Sequence, residues 1–305
     1  MEGAVRQLRQ QFDEQAEAHR PDLWRYCYRL TGSAWDAEDL VQETLTRAFA
    51  RLARFWQPLE IRPYLFRVAS NAYIDSLRRA RVETAELAEP VAPVPDPLET
   101  WGAVESLVEL LPPRQRVVVL LTQVFAFTNA EAGAMLHMTE GAVKAALHRA
   151  RATLKSASRR DAPVSGSRLA PDQSAVVSRY LDAFNRRDPA AIAALLDADV
   201  TGEIVGVATE LGRETVERNS LAEWAADPQF MWAEAGQLEG RPVLFVFCRT
   251  DEHERALSWI VTLGLSEDRV TAVGTYFYTP ELISHAAAQL GVPAVSNGYR
   301  YVAPQ

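Results

Sequence analysis

The sequence predicts a multidomain protein: two all-α helical domains followed by an α+β domain. Three observations carry this reading. Apolar residues recur at helical spacing through 1–81 and 98–158, and they alternate at strand spacing in several segments after Phe230. Stretches rich in Pro, Ser and charge, at 82–97 and 159–173, part the chain into 1–81, 98–158 and 174–305. With 305 residues, 48% of them hydrophobic, there is ample apolar material for more than one core. The composition excludes a disordered, collagen-like or disulfide-stapled chain. Cys27 and Cys248 are far apart and are expected as buried thiols, with no metal site. The longest apolar candidate, Val117 to Ala130, is too short to span a bilayer, and the first residues lack a signal-peptide core. A cytoplasmic protein without membrane insertion is expected.

The net charge of −8 is unevenly spread. Residues 1–160 hold 21 Lys/Arg against 20 Asp/Glu, and residues 161–305 hold 11 against 20. Within the first part, 112–160 carries a net +6. A basic block in an acidic chain suits a polyanion-binding module, and it equally suits a solvated helix face.

Each element has a local justification. Ser33 caps a helix that runs through Asp36, with Leu40, Val41, Leu45, Ala48, Phe49 and Leu52 on its apolar face. Pro63 occupies a favoured first-turn position of the next helix, whose apolar face is Leu65, Val68, Ala69, Ala72, Tyr73 and Leu77. Between them, Arg54 to Arg62 is an aromatic and basic loop, either a bundle corner or a stacking platform for an unpaired base. In the second piece, Thr128-Asn129-Ala130-Glu131 is a capping box opening a short helix. His137-Met138-Thr139 makes a tight turn, and Thr139 caps a helix with Val143, Leu147, Ala150 and Leu154 in its buried stripe. Lys144, His148, Arg149, Arg151 and Lys155 lie mostly outside that stripe, the layout of a helix-turn-helix presenting a basic helix to a major groove.

These residues resemble a known family. Asp36-Ala37-Glu38-Asp39-Leu40-Val41-Gln42-Glu43, then Arg67-Val68-Ala69-Ser70-Asn71 with Asp75 and Arg78-Arg79, look like domain 2 of an extracytoplasmic-function (ECF) sigma factor. Leu111-Pro112-Pro113-Arg114-Gln115-Arg116, Glu140 to Lys144 and Leu147 to Arg151 are similar to its domain 4. The resemblance implies core RNA polymerase and promoter DNA as partners. The polymerase clamp would be met by Asp36, Glu38, Asp39, Gln42 and Glu43; helix-dipole compensation explains the first two but hardly the last two. Arg54, Trp56, Arg62, Asn71, Arg78 and Arg79 are the candidates for the downstream promoter element, where an extruded base must be held. Thr139, Lys144, His148, Arg149 and Arg151 are those for the upstream element. Where the family often has Ser-Arg after Val-Lys, this chain has Ala145 and Ala146, so fewer polar groups reach the bases.

The third piece begins with amphipathic helices at Ser174 to Arg187 and Pro189 to Leu196. Phe230-Met231-Trp232, Val243 to Cys248, Ala256 to Leu265 and Val270 to Tyr278 then form an antiparallel meander, with Leu257, Trp259, Val261 and Leu263 on one face. This order resembles the cone-shaped SnoaL-like (NTF2-like) fold, which implies a cone lined by Tyr180, Phe184, Trp232, Trp259 and Tyr276. No acid/base constellation stands out: His253 sits in a charged turn, His285 in the last helix, and Asp199 and Glu203 fit cone or rim alike. No catalytic residue and no cofactor are therefore expected. The domain is expected to regulate, by an intramolecular contact with the sigma domains or by binding a small apolar ligand. The alternatives are a free-standing helix-turn-helix regulator and a SnoaL-like cyclase or hydrolase fused to a helical module.

Overall fold

The structure, a computed structural model, describes residue 12 and residues 14–52, 60–86, 111–156 and 171–299. It divides into two compact units, Met1–Val164 and Ser165–Gln305. Among the described residues, no helix is long and apolar enough to cross a membrane.

The first unit is helical. Helix α1 (Arg20–Thr31) ends on Gly32, whose φ of 74° suits a residue without a Cβ and turns its N–H onto the Tyr28 carbonyl. Ser33 Oγ accepts the Asp36 N–H at 3.3 Å at the start of α2 (Ala34–Leu52), as the sequence predicts. Helix α3 (Ile61–Glu86) holds Pro63 in its first turn. Leu23, Tyr26, Leu30, Leu65 and Phe66 are fully buried in this bundle. The Tyr26 hydroxyl lies 2.8 Å from Ser70 Oγ, which donates to the Phe66 carbonyl, so a buried polar pair is satisfied. Burial pushes the Tyr26 phenol and the Cys27 thiol up.

The chain continues into α4 (Pro113–Val119), a π-turn at Leu120–Val124, α5 (Asn129–Leu136) and α6 (Glu140–Ser156). Phe125 and Phe127, just after the π-turn, enter the aromatic cluster of the first helices. Phe125 lies 5.3 Å from Tyr26 and 5.1 Å from Phe66 between ring centroids, and Phe127 lies 5.1 Å from Phe66. The two predicted helical pieces thus share one core.

The second unit is α+β. Helix α7 (Pro171–Asn185) is followed by α8 (Pro189–Leu195), whose Asp188 cap accepts the Ala191 N–H at 2.9 Å. Six strands follow: β1 (Leu196–Ile204), β2 (Ala208–Leu211), β3 (Met231–Leu238), β4 (Arg241–Cys248), β5 (Ala256–Ser266) and β6 (Arg269–Tyr276). Between β2 and β3, α9 (Arg213–Val216) leads through a π-turn at Glu217–Leu221 into α10 (Ala222–Ala226); α11 (Pro280–Leu290) comes last. The sheet order is β2-β1-β6-β5-β4-β3.

Strands β3 to β6 form the expected antiparallel meander. Two features depart from expectation. The sheet is mixed, because β1 pairs with β6 in parallel, and β1 and β2 occupy a segment whose Asp197, Asp199 and Gly202 hide its strand periodicity. On β5 a bulge at Ser258 breaks the alternation: Trp259 sits opposite Val246 while Leu257 sits opposite Phe247. Leu257 therefore does not share the face of Trp259 and Val261, which corrects the four-residue stripe expected on that strand.

Candidate nucleic-acid and polymerase interface, and a C-terminal cavity

The acidic helix α2 divides its candidates. Asp36 and Asp39 are exposed, and Gln42 and Glu43 are half-buried. Glu38 is fully buried, 3.9 Å from the buried Arg20 guanidinium, and accepts a 2.7 Å hydrogen bond from Gln42 Nε2. Its place is the core of the bundle, not a partner-facing surface. Position i+2 from Asp36 turns the side chain toward α1, and an apolar interior holds a carboxylate only beside a countercharge. Glu43 is engaged by Arg47 at 2.5 Å and Arg79 at 3.7 Å, and Arg47 and Arg78 both approach Asp75. This charge network joins α2 to α3.

The candidates for the downstream element also separate. Arg54 and Trp56 lie outside the described residues. Asn71 is half-buried, and Arg78 and Arg79 are exposed beside the carboxylates just named. Arg62 is committed elsewhere. Its Nη2 donates to the Phe125 carbonyl at 3.0 Å, and its guanidinium lies over the rings of Phe127 at 4.5 Å and Phe66 at 5.2 Å. A planar, weakly hydrated cation suits such a sandwich, so in this conformation the half-buried Arg62 holds α3 to the segment after the π-turn. Arg116 makes a second tie, donating to the Leu30 carbonyl at 2.6 Å and to the Tyr73 hydroxyl at 3.2 Å. The sequence reading missed this pair of arginine ties; the signal was Phe125-x-Phe127 placed directly before a cap.

The helix-turn-helix is built as the sequence predicts. Thr128 Oγ1 accepts the Glu131 N–H at 3.2 Å, and Glu131 Oε2 accepts the Thr128 N–H at 2.7 Å. The backbone hydrogen bond from Thr128, above all, holds the Glu131 carboxyl below the usual range. His137 takes a left-handed φ of 53° to turn the chain, and the Met138 N–H bonds to the Gly133 carbonyl at 2.8 Å. Thr139 Oγ1 accepts the Ala142 N–H at 3.2 Å, so its role is the cap of α6. Val143, Leu147 and Ala150 are buried, while Lys144, His148, Arg149 and Arg151 are exposed together. Lys144 Nζ lies 2.7 Å from Glu140. Ala145 is exposed but Ala146 is 3% exposed, so only the first of the two alanines marks a lost groove-facing position.

In the second unit, α7, α8 and the segment from α9 to α10 roof one sheet face over a cavity of about 510 Å³. Tyr180, Phe184 and Trp259 line it, with Trp224, Phe277 and Tyr278 that the sequence reading missed. Trp232 and Tyr276 do not. Trp232 is paired with Phe247 and stacks on it at 5.8 Å, and Tyr276 is paired with Ile260. Ile260 neighbours Trp259 in the strand, so alternation places Tyr276 on the opposite face of the sheet. Glu210 is the buried carboxylate of the cavity, with Ser220 Oγ donating to its Oε2 at 2.7 Å. Among the described residues, no group of three or more His, Cys, Asp or Glu could hold a metal ion.

Residues 16–83 match the model of Sigma-70 region 2, and residues 101–154 that of Sigma-70, region 4. The ECF RNA polymerase sigma factor SigG of Mycobacterium tuberculosis is 32% identical over 230 residues, covering 63% of this chain and 61% of SigG. SigL of the same organism, also an ECF RNA polymerase sigma factor, is 35% identical over 159 residues, covering 46% of this chain and 82% of SigL. The chain thus spans about three fifths of the first of these relatives and most of the second. Among solved structures, the extracytoplasmic function sigma factor SigJ of M. tuberculosis is similar at 21% identity and a TM-score of 0.36, covering 88% of this chain and 97% of that one. The first unit, with its region 2 and region 4 matches and its helix-turn-helix, and the coverage of SigL place the chain plainly: it belongs to the ECF RNA polymerase sigma factors.

Proposed function

We propose that this chain binds core RNA polymerase, directs it to specific promoters in the cytoplasm, and is controlled by its own residues 174–305. The observation that carries the reading is α6, which exposes Lys144, His148, Arg149 and Arg151 opposite a buried stripe in a capped helix-turn-helix. Cationic groups on that face suit phosphate neutralisation and guanine contacts in a major groove. The exposed Asp36 and Asp39, with the half-buried Gln42 and Glu43, are the proposed polymerase surface. Arg78, Arg79 and Asn71 remain the described candidates for the downstream element, with Arg54 and Trp56 proposed from sequence. The domain limits proposed are 1–81, 98–158 and 174–305.

For the C-terminal unit we propose control instead of catalysis. Its net −8 over 174–305 beside the +6 block of 112–160 favours an electrostatic contact between them, and its cavity suits a signal molecule. The lining residues include a buried glutamate but no histidine or lysine to share a proton with it.

In vitro transcription with purified core polymerase tests the reading. The full chain should give promoter-dependent transcripts, Asp36→Lys with Asp39→Lys should lose them together with polymerase retention, and truncation after Arg160 should change their yield. Promoter binding without any transcript would favour a free-standing regulator. Unchanged yield on truncation would remove the control role.

A further inference from the structure

The cavity has aromatic walls and no positive charge. Phe184 and Trp224 stack at 4.7 Å, Phe184 meets Trp259 edge-on at 6.5 Å, and Trp259 lies 5.1 Å from Phe277. No lysine, arginine or histidine is among the lining residues. The volume of about 510 Å³ is that of a site for a small organic molecule.

Glu210 gives this space its chemistry. It is 6% exposed and stands opposite Gly202 in the β1–β2 register, on the sheet face that carries Trp259 and Val261. Gly202 leaves room for it: a Cβ there would lie 3.3 Å from Glu210 Oε2 and 3.1 Å from Val216 Cγ2. The Ser220 hydroxyl at 2.7 Å supplies a neutral hydrogen bond, which offsets only part of the lost hydration of a carboxylate. Glu223 and Asp227 add negative charge at the roof. The Asp227 carboxylate already accepts the Gln229 N–H at 2.8 Å, so it contributes field more than a docking point. Arg187 donates to the backbone carbonyls of Trp224, Asp227 and Gln229, which commits its charge outside the cavity lining.

We propose that this cavity binds an organic cation: a protonated amine on a flat apolar skeleton, its N–H donated to Glu210 and its skeleton against Phe184, Trp224 and Trp259. An ammonium supplies the countercharge the pocket lacks, and aromatic faces attract a desolvated cation. The proposal rests on the reading that residues 174–305 are a control domain and names the chemistry of their signal.

Fluorescence titration of the full chain with three tricyclic probes of similar size tests it: aminoacridine, protonated at neutral pH; acridone, neutral; and acridinecarboxylate, anionic. Aminoacridine should bind about 10-fold or more tightly than acridone, with the anion weakest. Glu210→Gln should bring aminoacridine and acridone within about 3-fold of each other. If Glu210→Gln does not fold, Ser220→Ala replaces it and should keep the cation preference. Acridone binding as tightly as aminoacridine to the wild type, no binding of aminoacridine, or a preference undiminished in a folded Glu210→Gln each overturns the proposal. Polymerase and DNA are absent from this assay, so its failure is distinct from a failure of promoter-directed transcription.

Discussion

Arg62→Ala separates two roles for one arginine. The sequence offers Arg62 to promoter DNA; the structure gives it a bond within the protein. Its bond to the Phe125 carbonyl at 3.0 Å is charge-assisted, a type that contributes about 1.5–3 kcal/mol. The ring contacts to Phe127 and Phe66 add about 0.5–1 kcal/mol each where solvent reaches the cation. The approach to Asp22 at 3.8 Å is a surface pair and adds little. Because the side chain is 32% exposed, the lower ends apply, and the sum is about 2–3 kcal/mol. Arg62→Ala should therefore raise the opening of this contact roughly 30- to 150-fold. Amide hydrogen exchange reads it at Phe125 and Phe127, whose N–H groups bond to the Leu120 and Leu121 carbonyls at 3.0 Å. Protection there should fall by that factor while β4 and β5 stay unchanged. Arg62→Lys should lie between, because a point charge keeps the cation but loses the planar fork. Unchanged exchange in Arg62→Ala, together with weakened promoter binding, would refute the internal tie and restore the DNA contact.

Three further outcomes are expected. Gly133→Ala would place a Cβ 2.7 Å from the Met138 carbonyl oxygen, a backbone atom that cannot move cheaply, so the helix-turn-helix should lose about 1–3 kcal/mol; wild-type melting and DNA affinity would contradict this. Glu131 has its carboxyl lowered by the Thr128 hydrogen bonds, so its stabilisation is complete above the ordinary carboxylate pKa and is lost as pH falls through the lower folded value; Glu131→Gln should flatten that acid limb of the unfolding profile, and an unaltered limb would exclude the capping box as its source. Glu38→Ala removes a buried carboxylate from beside Arg20 and from Gln42 Nε2 and should cost clearly more than Asp39→Ala at the exposed face, which should stay within about 0.5 kcal/mol; equal thermal shifts for the two would contradict the division of α2.

What was legible in the sequence followed local rules. Caps, turns and helical stripes depend on residues three or four apart, so Ser33, Thr128 with Glu131, and Thr139 were found where the structure has them. What was not legible depends on distant partners. Glu38 looks like its acidic neighbours until Arg20 on another helix is beside it, and Arg62 looks like a DNA contact until Phe125 arrives from 63 residues away. The cavity failed on parity. One extra residue at Ser258 and the side of β6 on which Tyr276 falls decide which aromatics face inward, and no single strand's pattern reveals a bulge. Glu210 was hidden because the four-residue strand that carries it, Ala208–Leu211, is exposed at its other three positions and buries only its glutamate, beneath the helical roof.

The basic face of α6 bears on how this chain would read DNA. Lys144 is paired with Glu140 one turn before it, and an exposed pair of this spacing contributes only about 0.3–0.5 kcal/mol. Exchanging that carboxylate for a phosphate therefore costs little, and Lys144 stays available to a polyanion. Arg149 and Arg151 are exposed on the same helix, and Ala145 leaves a flat patch between Lys144 and His148. A face so composed offers one point charge, Lys144, and two forked guanidiniums, Arg149 and Arg151. Affinity from such a helix comes mainly through counterion release, with about 0.9 of slope in log affinity against log salt for each phosphate met. Sequence choice must then come from Arg149 bidentate to a guanine, from the thymine methyl that a small Ala145 side chain admits, or from groove shape. An interaction built on charge is weakened by any competing negative surface, so the control proposed for residues 174–305 would need no contact tailored to the recognition helix.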